Sequence, residues 1–243
     1  MEALAISNLD NNLKGEVTLN NIIQSLIKEV VRVEVSGKKL INGTVIDSGS
    51  DVIVLFNGID YVYIPVDHIQ RFGIYDDNEE DIQAPSESPN ITALENEKEL
   101  TFREVLTQAQ GNYVEIYVTN GQPLHGYIMS LMNDYFIFYS PIYKTMYISI
   151  QHLKWLIPYS QNESPYGMNN QTNLVQSNGQ LLANTFKEQV EKFQNTIVVL
   201  NIGGDKSHIG KINNVEEQIV EIKGARTNSY YLNLDHIKTL HEV

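Results

Sequence analysis

Cysteine is absent from the 243 residues, which excludes disulfides, thiolate nucleophiles and cysteine-type zinc sites together. No run approaches the roughly 20 consecutive apolar residues that a membrane-spanning helix requires. The start MEALAISNLDNNLKGE has neither the basic block nor the apolar block of a secretory signal. The expectation is a protein kept on the cytosolic side of its membrane, with no membrane partner. Basic residues are scarce, 17 against 30 acidic ones, and the formal charge is −13. That balance opposes nonspecific binding to phosphate backbones, which works by counterion release from clustered cations. GxSxG, HExxH, Walker and GxGxxG patterns are all missing. No cofactor is implied, and the chain does not read as an enzyme.

What is present is enough to fold. Hydrophobic residues make up 42% of the chain, so it can bury a core. Tyrosine occurs 14 times against a single tryptophan. The negative charge is uneven: nine of the acids fall between Asp76 and Glu99, a stretch with one basic residue.

One phrase is written three times, as YIPVDHI at 63–69, YISIQHL at 147–153 and YLNLDHI at 231–237. It places His68, His152 and His236 at steps of 84 residues, and Tyr63, Tyr147 and Tyr231 five residues before each. In the same register Gly43, Gly126 and Gly210 align, as do Thr18, Thr101 and Thr185. From threonine to glycine the spacing is 25 in every copy, and from glycine to histidine 25, 26 and 26. A fixed period of this kind redefines the folding unit.

Each unit opens with a helix signal. In TLNNIIQSLIK the residues Leu19, Ile22, Ile23, Leu26 and Ile27 predict one buried stripe, repeated by Phe102, Val105, Leu106 and Ala109 and more weakly by Phe186, Val190 and Phe193. TFRE at 101 and TFKE at 185 are capping boxes; TLNN at 18 lacks the reciprocal glutamate. The period then changes to two, as in VRVEVSG with Val31, Val33 and Val35, and turn-separated strands follow, DVIVLF and DYFIFY among them. In the closing phrase Ile64 and Val66 share a face with Ile148 and Ile150 and with Leu232 and Leu234, opposite Pro65, Ser149 and Asn233. Pro65 points to a strand edge or a bulge.

A short amphipathic helix followed by about five short strands closes most economically as a small barrel, which removes exposed edges. The expected fold is mainly β: three tandem small SH3-like, Sm-like barrels, with the shared glycine at a bending strand. The expected boundaries are an N-terminal tail at 1–17, barrels at 18–75, 100–158 and 184–243, an acidic linker at 76–99 and an Asn/Gln-rich linker at 159–183. Both linkers are expected to run outside the barrels.

Candidate sites remain open at this level. The three histidines could converge on a metal, but duplication alone gives equal spacing, so the simpler reading has each one fixing a turn through a carbonyl or carboxylate. The tyrosines read as barrel residues with a wet hydroxyl, or as surface contacts. An Sm-like barrel raises RNA binding, yet Lys38, Lys39, Arg71, Lys144, Lys154, Lys223 and Arg226 are scattered, so nucleic acid is not the expected partner. Gly203 and Gly204 read as a hairpin turn.

The recurring phrase, with its HIQRF, HLKWL and HIKTL endings, resembles the three tandem repeats in the N-terminal part of spore coat protein B of endospore-forming Bacillus relatives. The helix and G-x-[IV] strand come in the same order. Two departures stand out. The family's GGPE-type turn survives only as GGDK at 203–206, and no Ser- and Lys-rich tail follows His236, so phosphorylation of such a tail is not carried over. The resemblance implies a non-enzymatic component of the spore coat or spore surface, made in the mother-cell cytoplasm, with other coat or exosporium proteins as partners. Homo-oligomerisation is a separate expectation, since Sm-like units often assemble through strand edges. An Sm-like RNA-associated adaptor is the alternative.

Overall fold

The computed structural model describes residues 19–75, 82, 84–93, 99–119, 121–160, 163, 165–167, 182–202, 207–226 and 228–243. Thr18, Gly203 and Gly204 lie outside these residues. Three units follow one another, each a helix and five strands with a 3-10 turn before the last. The first contains α1 (Leu19–Ser25), β1 (Val30–Val35), β2 (Lys39–Ser48), β3 (Val52–Phe56), β4 (Tyr61–Pro65), a turn at Val66–His68 and β5 (Ile69–Ile74). The second contains α2 (Phe102–Gln108), β6 (Tyr113–Tyr117), β7 (Leu124–Leu131), β8 (Tyr135–Ser140), β9 (Lys144–Ser149), a turn at Ile150–His152 and β10 (Trp155–Pro158). The third contains α3 (Phe186–Glu191), β11 (Ile197–Leu200), β12 (His208–Glu216), β13 (Ile219–Lys223), β14 (Ser229–Asn233), a turn at Leu234–His236 and β15 (Thr239–Glu242). No helix among these residues is long and apolar enough to cross a membrane.

The capping boxes form as the sequence predicts. Thr101 Oγ1 accepts from the Glu104 N–H while Glu104 accepts from the Thr101 N–H, and Thr185 and Glu188 do the same. In each unit the second strand carries a β-bulge against the third, at Val45/Asp47, Ile128/Ser130 and Ile212/Asn214. The extra residue lies three positions after the shared glycine and bends the strand there. The glycines serve a different need, close approach. A Cβ at Gly126 would lie 2.2 Å from the Tyr139 carbonyl oxygen, and one at Gly43 2.9 Å from that of Phe56.

The expectation of three closed barrels is corrected by the strand pairing. All fifteen strands form one antiparallel sheet, in the order β14-β13-β12-β11-β15-β9-β8-β7-β6-β10-β4-β3-β2-β1-β5. Within each unit the fourth and fifth strands do not pair with each other. Instead the fifth strand of one unit adds to the fourth strand of the unit before it: β10 to β4, and β15 to β9. Edges are thus removed by the neighbouring repeat rather than by closure.

The cores follow the same rule. The middle core takes Phe102, Val105 and Leu106 from α2 but also Val52, Val54 and Tyr63 from the first unit. The third takes Phe186 and Val190 from α3 with Tyr135, Ile137 and Tyr147 from the second unit. The first unit's core is built on Ile23, Val31, Val33 and Ile53, and among the described residues Trp155 and Ile157 of β10 lean on it from outside the unit. The expected α1 stripe is accordingly only part buried, with Ile23 inside and Ile22 and Ile27 exposed. The acidic linker does not run wholly outside either. Ile91 is buried in the middle core, and Tyr63 OH donates to the Ile91 carbonyl at 2.9 Å. In the second linker Ala183 is buried and its carbonyl accepts from Tyr135 OH at 2.7 Å.

Candidate functional site

The repeated polar residues gather where one unit meets the next. Each histidine ends the 3-10 turn that follows a fourth strand, a position set by the chain reversing between two strands that belong to different sheet pairings. His152 Nε2 lies 2.8 Å from the carbonyl oxygen of Asp235, the residue just before His236. Because a carbonyl can only accept, Nε2 carries the proton. His68 repeats the contact one unit earlier, hydrogen bonding to the Gln151 backbone, with Ser36 Oγ 3.0 Å from its Nδ1. His236 ends the series: exposed, with the backbone carbonyl accepting from Asn201 Nδ2 at 3.2 Å.

The histidines therefore form a chain of contacts from turn to turn. Among the described residues no group of three or more His, Asp or Glu side chains is placed to hold a metal ion. Burial depresses the His152 pKa to about 4, and the nearby Lys238, His68 and His236 act the same way against the hydrogen bond to Asp235. His68 is also lowered, first by burial and then by Lys154. Burial thus favours the neutral ring at both positions.

Two carboxylates that the repeat register does not include do equivalent work. Asp51 Oδ1 accepts from the Phe102 N–H at 2.7 Å, and Asp134 Oδ1 accepts from the Phe186 N–H at 2.7 Å. Each unit thus caps the first turn of the next unit's helix, satisfying a backbone donor that has no partner inside the helix. The third unit has Gln218 in this place. The signal was available in the sequence, since an aspartate opens both DVIVLF and DYFIFY while the third copy reads QIVEIK. A pocket of about 460 Å³ runs along these joints, lined by Asp51, Arg103, Asp134, Lys187 and Gln218 among others. Asp51 and Asp134 are committed to helix capping there, and Asp235, also on the lining, offers its carbonyl to His152.

The tyrosines divide by position. Tyr63 is 0% exposed and Tyr147 5%, each under the following unit; Tyr231, in the third unit, is 67% exposed. Gly43, Gly126 and Gly210 lie on second strands away from the histidine turns, and Thr101 and Thr185 cap helices.

The sequence reading of scattered cations needs one correction. Lys154 and Lys39 approach the Tyr117 ring at 5.4 and 5.7 Å, and that ring stacks on Trp155 with centroids 4.0 Å apart. Burial first, then the charges of Lys238 and Lys39, bring the Lys154 pKa down to about 8. Folding therefore collects three lysines beside the histidine turns. No periodic signal in the sequence joins Lys39 to the other two.

Fold and site together define a mainly β tandem-repeat protein whose repeated polar side chains are joint residues. Residues 185–240 match the family model described as YwrJ third domain. Over 215 residues the chain is 35% identical to the uncharacterized protein YwrJ of Bacillus subtilis (strain 168), an alignment covering 87% of this chain and 94% of that protein. The chain belongs to the YwrJ family.

Proposed function

We propose that this protein is a non-enzymatic structural component of the spore coat or outer spore surface, built from three SH3-like, Sm-type modules fused edge to edge. Other coat or exosporium proteins are its partners. The observation that carries this reading is the use of the repeated residues. His68, His152, Asp51, Asp134, Tyr63 and Tyr147 all hold one repeat against the next. Such a chain presents three joined modules as one strip, and several weak contacts presented together gain avidity through effective concentration.

The SH3-like, Sm-type module reading, with no unit closed on itself, is supported by the 4-3-2-1-5 strand order in each unit and by the bulge that bends every second strand. The spore reading is supported by the resemblance of the closing phrases to coat protein B repeats and by a family relative from a Bacillus. Fractionation of sporulating cells and purified spores, probed with an antibody to the chain, tests it. Enrichment in coat or exosporium extracts is the expected result, and recovery only from vegetative cytosol would refute it.

The Lys39, Lys154 and Lys238 cluster favours a second reading, an Sm-like RNA-associated adaptor. Fluorescence anisotropy with a single-stranded RNA discriminates: salt-sensitive binding lost in Lys154→Ala and Lys238→Ala supports the adaptor, and no binding at low salt removes it.

A further inference from the structure

We infer that the two ends of the strip are complementary and that the partner they fit is a second copy of this chain, docked head to tail through the free edges of β14 and β5. The inference rests on the pairing pattern and not on the spore reading, so either can fail without the other. β14 and β5 are the two ends of the sheet order, and no described strand covers their outer sides. They are also a fourth strand and a fifth strand, the two elements that join at both internal joints.

The register of those joints is the same. Leu156 pairs with Tyr63, and Leu240 pairs with Tyr147, the identical repeat positions one unit on. Carrying the rule one step further pairs Phe72 of one copy with Tyr231 of another, and Arg71 with Leu232. The surfaces behind the edges agree. Tyr231 is exposed where its two counterparts are buried, and Ile219 is exposed where Val52 and Tyr135 are buried. On the other end Ile22 of α1 is 41% exposed, whereas Val105, its counterpart, is 0% exposed beneath the preceding unit. Each end therefore bares the half of a joint that the interior of the chain keeps covered.

Two substitutions bear on how firmly the copies join. At the second joint the Ser149 N–H donates to the Lys238 carbonyl at 3.1 Å, and three residue pairs form. At the first joint Pro65 occupies the Ser149 position and has no N–H to give, and one pair forms. Asn233 holds this position on the free edge and retains its N–H, so the contact between copies follows the fuller pattern. Glu221 stands where Val54 and Ile137 stand, which makes this face more polar than the internal ones, as suits a contact between chains that first exist apart. Because the two faces differ, the contact is heterologous and closes into a ring or extends as a filament according to the turn per chain.

The absence of cysteine makes the test clean. Arg71→Cys and Leu232→Cys are prepared separately, at a pair that the antiparallel rule places at a non-hydrogen-bonded site, where Cα atoms come within disulfide range. Oxidised alone, neither should cross-link; mixed, they should give a species of twice the chain mass, and the double variant should give dimers or a ladder. In parallel, sedimentation of the wild-type chain should show concentration-dependent association, reduced to the single-chain mass by Tyr231→Lys. A monomer at every concentration with no cross-link in the mixture overturns the inference. So does Leu232→Cys cross-linking to itself as readily as to its mate, which would mean like edges meet.

Discussion

Replacing Asp134 by alanine isolates one joint. The Asp134 carboxylate accepts the Phe186 N–H at 2.7 Å in a part-buried setting. Loss of a helix-capping acceptor costs about 1–2 kcal/mol, and the freed N–H, partly reachable by water, keeps the value within that range. In a chain of this size each kcal/mol moves the midpoint by about 2–4 °C, so the melting temperature should fall by about 2–8 °C. Asp134→Asn retains an oxygen acceptor and should fall between. The control is internal: Gln218 occupies the same repeat position with no helix to cap, so Gln218→Ala should stay within about 0.5 kcal/mol. Thermal melts by circular dichroism, with amide exchange at Phe186 as the local readout, decide the matter. If Asp134→Ala melts like wild type, or no lower than Gln218→Ala, the capping of one repeat by another is not a structural joint and the reasoning fails.

Other expectations follow from the same geometry. Tyr147→Ala should destabilise by about 3–5 kcal/mol in urea unfolding. Tyr231→Ala, at the equivalent but exposed position, should change the dissociated chain by less than about 0.5 kcal/mol, and similar values for the two would contradict the burial difference. Gly126→Ala, whose Cβ would meet backbone at 2.2 Å, should cost about 3 kcal/mol against about 1 kcal/mol for Gly43→Ala at 2.9 Å; the reverse order in a denaturant series would refute the close-approach argument. Because the folded pKa of His152 lies below its unfolded value, the unfolded chain binds the proton more readily. Stability is full above about pH 6.5 and is lost as pH falls through the folded value of about 4. Discounted for partial solvent exposure, the loss is about 1–2 kcal/mol. His152→Gln should flatten that part of the pH–stability curve, and an unchanged curve would mean that the ring is not held neutral at the joint.

Much of this architecture was legible because duplication writes local structure three times. TFRE and TFKE predict their capping boxes from contacts three residues apart, and the shift from helical to alternating apolar spacing marks the strands without reference to anything distant. The histidine phrase falls on the 3-10 turn after each fourth strand, again a local feature. Closure was misread because it depends on which fourth strand meets which fifth, and one strand edge looks like another in a sequence. The α1 stripe failed at Ile22 for a related cause: amphipathic spacing records a face fit for burial, and the equivalent face of α2 is covered by a neighbouring unit that no described residue supplies to α1. A clue lay in the third strands. VIVLF and YFIFY are apolar on both faces and IVEIK is not, the pattern of two strands covered by a following repeat and one left uncovered.

The sequence by itself determined the number of repeats, their helix-then-strand order, the capped starts of α2 and α3, and the absence of cysteine chemistry, because each depends on composition or on neighbours along the chain. Only the tertiary structure decided that β4 and β9 receive the next unit's last strand, that Asp51 and Asp134 cap helices about 50 residues on, and that Lys39 comes to stand beside Lys154. These are contacts between repeats. Near-identical units offer near-identical edges, so local patterning cannot rank their pairings, and the choice falls to the shared cores that form when one repeat packs on the next.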